Sequence, residues 1–302
     1  MDIPVALPVS RRRRRLRQRD YVPYLFILPN ILLFLVFVLG PVAFSFAMSF
    51  TNWTGTQPGT WVGLRNYAGL LEDDVFITAV RNTVLYSLGT VLPMLAISLA
   101  LAMMLDSRIR GRTFYRVMIY LPVVISWVAA SVVWRLIFLH PDGVLNAGLS
   151  LIGIPPQLWT GDPILALPAI MWLSLWKGLG FYMVVYLAGL QTIPASVYEA
   201  AMIDGASKSQ LFWSITLPLL RPTTLFALVI GVINSFEVFI PVYLLTSGGP
   251  GYASMVLVMA IYRAGFQNFQ LGYGAAIAVV LFFMVMSISV LQFKLFGKEV
   301  QY

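Results

Sequence analysis

The chain has 302 residues, of which 59% are apolar or aromatic and only 11% charged, against roughly 25% charge in a typical soluble domain. A mean hydropathy of +0.84 makes lipid the medium around most of the chain, so the length reads as one polytopic membrane protein rather than two globular domains. With no cysteine and a single histidine, His140, thiol chemistry, disulfides and metal centres are excluded.

Residues 1–20 form a basic tail carrying Arg11, Arg12, Arg13, Arg14, Arg15, Arg17 and Arg19, and residues 21–302 form the membrane domain. No charge occurs between Asp20 and Arg65, and 24–50 is long enough for a helix to cross an apolar layer about 30 Å thick at about 1.5 Å per residue. Similar blocks run over 79–105, 114–139, 164–190, 222–245 and 275–293. Six spans are therefore predicted, all helical. Pro29, Pro41, Pro93, Pro122, Pro168, Pro241 and Gly274 fall inside them and predict kinks rather than ends.

Cytoplasmic loops accumulate Lys and Arg. With the N-terminus inside, the seven tail arginines, Arg108, Arg110, Arg112, Arg116, Lys208, Arg221, Lys294 and Lys298 are cytoplasmic, fifteen of the twenty cations. Glu72, Asp73, Asp74, Asp142 and Asp162 fall on the opposite side, so both termini are expected in the cytoplasm of a prokaryote bounded by its plasma (inner) membrane. Basic runs also bind nucleic acid or direct twin-arginine export. Here no second basic cluster sits in a foldable soluble segment, and the following apolar block exceeds the h-region of a cleaved signal and lacks an A-x-A site. An uncleaved topology anchor against anionic lipid is expected, with no nucleic-acid partner.

The loop at 193–218 joins the fourth and fifth spans. Ser196 three residues before Glu199 has capping-box spacing, Gly205 supplies a backbone break, and Ser207 with Gln210 repeats the cap before Pro218 and Pro222. A helix, a bend and a second helix are predicted. Ala200, Ala201 and Ala206 leave a low-relief surface flanked by Glu199 and Asp204, which fits a groove on a basic partner protein or a helix lying on lipid.

The order Glu199-Ala200-Ala201, three residues, Gly205, nine residues, Ile215-Thr216-Leu217-Pro218 resembles the EAA loop of ABC importer permeases, the inner-membrane subunits of binding-protein-dependent transport systems. The resemblance implies the type I permease fold and a coupling helix that docks in a cleft of a cytoplasmic ATPase. It carries a coupling role to Glu199, Ala200, Ala201, Asp204, Gly205, Ile215, Leu217 and Pro218. Trp61, Gly63, Leu64, Asn66, Tyr67, Asp74, Phe76, Asn82 and Thr83, with Gly248-Gly249-Pro250 before Ile261-Tyr262, resemble the loops of the carbohydrate-uptake branch, the maltose and glycerol-phosphate permease-like proteins. This implies a second permease in a heterodimer, two ATPase subunits that bind ATP and magnesium, an external solute-binding protein, and a sugar, oligosaccharide or glycerol phosphate as solute moved by alternating access.

No G-x-x-x-x-G-K-[ST] occurs, since Gly297-Lys298 lacks the required upstream glycine, so no cofactor is expected in this chain and energy has to come from a partner. Two charges fall inside spans, Lys177 and Glu237, at a cost of about 2.5 to 3.5 kcal/mol each on insertion scales. They are expected either to pair or to line a translocation cavity with Trp172, Trp176, Asn234 and Ser235, whose amide, hydroxyl and flat rings suit a polyhydroxylated solute; the tryptophans also read as lipid or interface anchors. Two rivals are weaker. An intramembrane serine protease needs a histidine at one depth with its serine, and His140 lies at an outer loop edge; a self-contained secondary transporter usually carries an internal repeat, and no clear one is visible.

Overall fold

The computed structural model describes residues 22–57, 59–107 and 110–296. The basic tail at 1–20 lies outside the described residues. The chain divides into two compact units, Met1–Ala47 and Met48–Tyr302.

In the first unit the apolar run folds as the helix Val22–Phe34, a wider π turn at Leu35–Leu39, and the helix Gly40–Met48. The π turn sits just before Pro41, which has no N–H for the regular ladder.

Among the described residues the second unit is mainly helical, and its extended pairing is limited to one bridge between Thr51 and Trp61. Three continuous helices are long and apolar enough to cross a membrane there: Asp74–Asp106, Ala166–Gln191 and Leu271–Leu295. Two further candidate spans are bent pairs, each a broken span when its two helices are taken together. Arg112–Val124 and Trp127–Ile137 meet at 99°, and Lys208–Leu219 and Arg221–Phe236 at 64°.

Two of the predicted kinks are therefore ends. The expected span 222–245 stops at Phe236 and resumes as Ile240–Leu245. Pro241 cannot donate to the carbonyl of Glu237 four residues back, and its ring crowds that carbonyl, so the helix terminates. In 114–139 the break falls at Ile125 and Ser126, both extended, three residues beyond Pro122. Ser126 caps the new helix, its Oγ accepting from the Ala129 N–H at 3.2 Å.

Contacts at glycines fix the helix directions. Gly89 abuts Met171 and Gly178 abuts Met94, so Asp74–Asp106 and Ala166–Gln191 run parallel; Gly189 abuts Thr223 and Gly231 nears Tyr182, so Arg221–Phe236 runs against them. At Gly180 the approach is to backbone: an added Cβ would meet the Ile119 carbonyl and lie 2.7 Å from Tyr120 Cα.

Two apolar clusters result. One gathers Leu70, Phe76, Ile170, Leu173, Val242 and Leu257 toward the end bearing the 245–257 loop. The other gathers Leu95, Leu99, Met183, Leu187, Ile193 and Leu220 toward the end bearing the 193–218 loop. Between them lie the buried hydroxyls of Ser87, Thr90, Ser174 and Ser235, and the candidate cavity opens at this polar level.

At the first end, two sequence segments 170 residues apart are stapled together. The Asn82 amide donates to the Tyr252 and Ala253 carbonyls at 3.0 and 3.1 Å, and the Leu257 N–H donates to Thr83 Oγ1 at 2.9 Å. The Tyr273 hydroxyl donates to Asp73 at 2.7 Å, while the other Asp73 oxygen caps the helix Asp74–Asp106. These pairings satisfy polar groups that would otherwise be stranded where the loops meet the apolar layer.

Candidate functional site

A cavity of about 500 Å³ opens between the two clusters. Its lining follows a helical stride. Tyr86, Thr90 and Met94 lie four apart on one helix, and Ser174, Gly178 and Tyr182 four apart on its parallel neighbour, a spacing that stacks side chains on one face. Gly231, Asn234, Ser235 and Val238 complete it from Arg221–Phe236 and just beyond, with Trp127 and Phe239 as flat walls.

Several of the polar groups already bond one another. The Tyr86 hydroxyl donates to Ser174 Oγ at 2.7 Å, which itself donates to the Ile170 carbonyl at 2.9 Å. Ser235 Oγ lies 2.7 Å from Ser87 Oγ and 2.8 Å from the Val232 carbonyl. Asn234 and Glu237 stand exposed on the same helical face, one turn apart. The resulting wall combines hydroxyl, amide and carboxylate groups with aromatic faces, the equipment needed to hold a hydroxyl-rich molecule without covalent chemistry.

Three of the six residues expected in a cavity are thus brought together: Asn234, Ser235 and Glu237. Lys177, Trp172 and Trp176 are not among the lining residues. Lys177 follows Ser174 by three residues rather than four, which turns it toward the broken span. There its ammonium donates to the carbonyls of Pro122, Val123 and Ile125 at 3.2, 3.3 and 2.5 Å and sits 4.9 Å from the centre of the Trp127 ring. The expected alternative of a Lys177–Glu237 ion pair is not formed among the described residues; Lys177 is instead the cap of a helix end inside the apolar layer, where unpaired carbonyls are costly. Trp172 is half exposed and stacks on Trp159 at 6.4 Å, and Trp176 packs against Trp134 at 5.7 Å. Trp127, Tyr86, Ser174, Tyr182 and Phe239 were missed, although the four-residue stride of polar and small residues in two apolar helices is a readable signal.

The second candidate site is the 193–218 loop. It opens as the helix Ala195–Ile203 with Pro194 at its cap; Ser196 and Glu199 make no capping box, because the helix begins two residues too early for Ser196 to be its cap. Its far end closes as a Schellman motif: the Ala206 N–H donates to the Ala201 carbonyl at 2.9 Å and the Gly205 N–H to the Met202 carbonyl at 3.1 Å. Gly205 takes φ +81°, the left-handed conformation that this motif requires and that glycine accepts without strain. Ser207 and Gln210 form the expected reciprocal capping box on the next helix.

One face of this loop packs on the second apolar cluster. Ile193 and Leu220 are buried at its two roots, Tyr198, Phe212 and Leu217 pack on the same cluster, and the Tyr198 hydroxyl is 3.0 Å from Thr216 Oγ1. The other face is free of such packing: Glu199, Ala200, Met202, Ile203, Asp204 and Gly205 are exposed, Ile203 at 86%. Ala201, Ile215, Leu217 and Pro218 are half-buried, Leu217 against the anchoring cluster. The apolar tip Met202 and Ile203 adds to the small and acidic residues read from the sequence.

The family model described as binding-protein-dependent transport system inner membrane component matches residues 83–295. The arabinooligosaccharides transport system permease protein AraP of Bacillus subtilis is 35% identical over 300 residues, covering 98% of this chain and 95% of that protein. A solved structure of a bacterial ABC transporter involved in the import of the acidic polysaccharide alginate contains a chain with a TM-score of 0.82 and 29% identity, covering 94% of this chain and 98% of its own. A structure of a bacterial alginate ABC transporter in complex with a pentasaccharide-bound periplasmic protein matches with a TM-score of 0.80 and 29% identity, covering 91% and 93%. The all-α, polytopic architecture is therefore that of an ABC importer permease. By the match over residues 83–295, the chain belongs to the family of binding-protein-dependent transport system inner membrane components.

Proposed function

We propose that this permease moves a carbohydrate through the cavity between its two apolar clusters by alternating access, driven by separate ATPases that grip the 193–218 loop. The observation that carries the reading is the two-faced build of that loop. Its inner face is locked to the second apolar cluster through Ile193, Tyr198, Phe212 and Leu220, while Glu199, Met202, Ile203 and Asp204 are exposed. A displacement applied to the outer face is thus passed to the helices that line the cavity instead of being absorbed within the loop, which is what biasing a two-state element requires.

In this reading the assembly holds a second, nonidentical permease, two ATPases that bind ATP and magnesium, and an external binding protein that delivers the solute. This chain carries out no covalent step. The basic tail and the 106–112 and 193–220 loops face the cytoplasm, in keeping with the distribution of Lys and Arg, and the host is a prokaryote. The coupling role falls to Glu199, Ala200, Ala201, Asp204 and Gly205, with Ile215, Leu217 and Pro218 anchoring the returning helix.

The test is Glu199→Lys in the assembled importer in membrane vesicles. Insertion is expected to be normal while uptake and solute-stimulated ATP hydrolysis fall at least tenfold. Uptake at the wild-type rate would remove the coupling assignment.

A further inference from the structure

The cavity has a sign. Among its described lining residues, Glu237 is the one side chain with a formal charge; the others are hydroxyl, amide, thioether, aromatic, aliphatic or glycine. Glu237 also caps the C-terminal end of Arg221–Phe236, where the free carbonyls of the last turn add partial negative charge. Anion sites are built the other way, from Arg or Lys forks or from helix N-termini.

The nearby cation does not offset this. Lys177 Nζ is held by the Pro122, Val123 and Ile125 carbonyls, and the Trp127 ring beside it is itself part of the cavity wall. Its positive charge is thus bound to a helix end rather than presented to a solute. The Glu237 carboxylate is exposed on the cavity wall, so its field falls on whatever enters and is felt most strongly at low ionic strength.

We infer that Glu237 makes this cavity a path for neutral and cationic carbohydrates, such as plain oligosaccharides and amino sugars, and turns away phosphorylated and uronate ones. The inference rests on the reading of this cavity as the solute path. Hydroxyls meet Tyr86, Ser174 and Asn234, and sugar faces stack on Trp127 and Phe239. A protonated amine would gain the Glu237 carboxylate and the electron-rich aromatic faces together, whereas a phosphate or uronate would face a like charge with no donor fork to receive it. The related alginate transporter imports an acidic polysaccharide, so the shared fold leaves the charge of the solute to be set by positions such as this one.

The absence of cysteine allows a direct measurement. Asn234→Cys, in the assembled importer, places a single thiol on the cavity wall one turn from Glu237, and its reaction with neutral, cationic and anionic methanethiosulfonates is followed at low ionic strength. After correction for reactivity toward a free thiol, the cationic reagent is expected to react at least tenfold faster than the anionic one. Adding Glu237→Gln should bring the ratio close to one, and Glu237→Lys should invert it. Glucosamine should slow the neutral reagent at concentrations at least tenfold below those needed of glucuronate.

A ratio that Glu237→Gln leaves unchanged, a faster anionic reagent, or glucuronate matching glucosamine would overturn the charge selection while leaving the cavity as the path. Failure of the neutral reagent to react would instead refute an open cavity, and this inference with it.

Discussion

The sharpest consequence of the structure concerns the two intramembrane charges, because pairing and separate roles predict opposite behaviour in a double-mutant cycle. Lys177→Met removes an ammonium that bonds three carbonyls. The Pro122 carbonyl keeps the Ile125 N–H at 3.3 Å, so two carbonyls, Val123 and Ile125, are stranded. At about 1–3 kcal/mol for each unsatisfied buried group, the loss is about 2–6 kcal/mol. Relief from burying an ammonium offsets part of it, leaving a net destabilisation of about 2–4 kcal/mol. Glu237→Gln acts on an exposed cavity side chain and is expected to change stability little. If the groups act separately the two effects add, with a coupling energy within about 0.5 kcal/mol. Thermal and denaturant unfolding of the detergent-solubilised wild type, both single variants and the double variant gives the four corners. A double variant more stable than Lys177→Met alone by over 1 kcal/mol would show that Glu237 depends on Lys177 and would refute the cap.

Two further perturbations probe the backbone geometry. Gly180→Ala puts a methyl into the Ile119 carbonyl and against Tyr120 Cα; overpacking of this kind costs about 1–3 kcal/mol, read as a lower unfolding temperature, and a neutral result would mean the two helices stand further apart. Gly205→Ala keeps open space around the new methyl but holds alanine at φ +81°, a penalty of about 1–2 kcal/mol with uptake reduced but present. Gly205→Pro cannot adopt that φ at all and should abolish uptake with insertion intact; equal uptake in both variants would show that the bend plays no part in coupling.

Hydropathy made the architecture legible, because an apolar layer about 30 Å thick leaves the backbone few choices. Helix ends were less legible. Pro93 sits within the unbroken helix Asp74–Asp106, whereas Pro241 ends one, and the difference depends on what neighbours supply to the freed carbonyls. The break after Val124 is stabilised by Lys177, 52 or more residues away, which no local pattern announces. Gly205 was readable as a bend because the left-handed position is a local demand, and so was the Ser207–Gln210 cap. The Ser196–Glu199 cap failed on a two-residue shift of the helix start. For the cavity, charge inside a span drew attention to Lys177 and its flanking tryptophans, yet facing is set by helical phase: one residue separates Lys177, which faces the broken span, from Gly178, which lines the cavity.

Mechanical engagement of the exposed loop tip by a motor subunit is the claim on which transport by this chain depends. Ile203→Cys, at the most outward apolar position of the loop and the single thiol in the chain, can carry a photoactivatable crosslinker in the assembled importer. Crosslinking to the ATPase subunit, with a yield that changes on adding ATP, is the predicted result. Adducts with lipid alone, or labelling of that thiol by an impermeant reagent applied from outside the cell membrane, would contradict it.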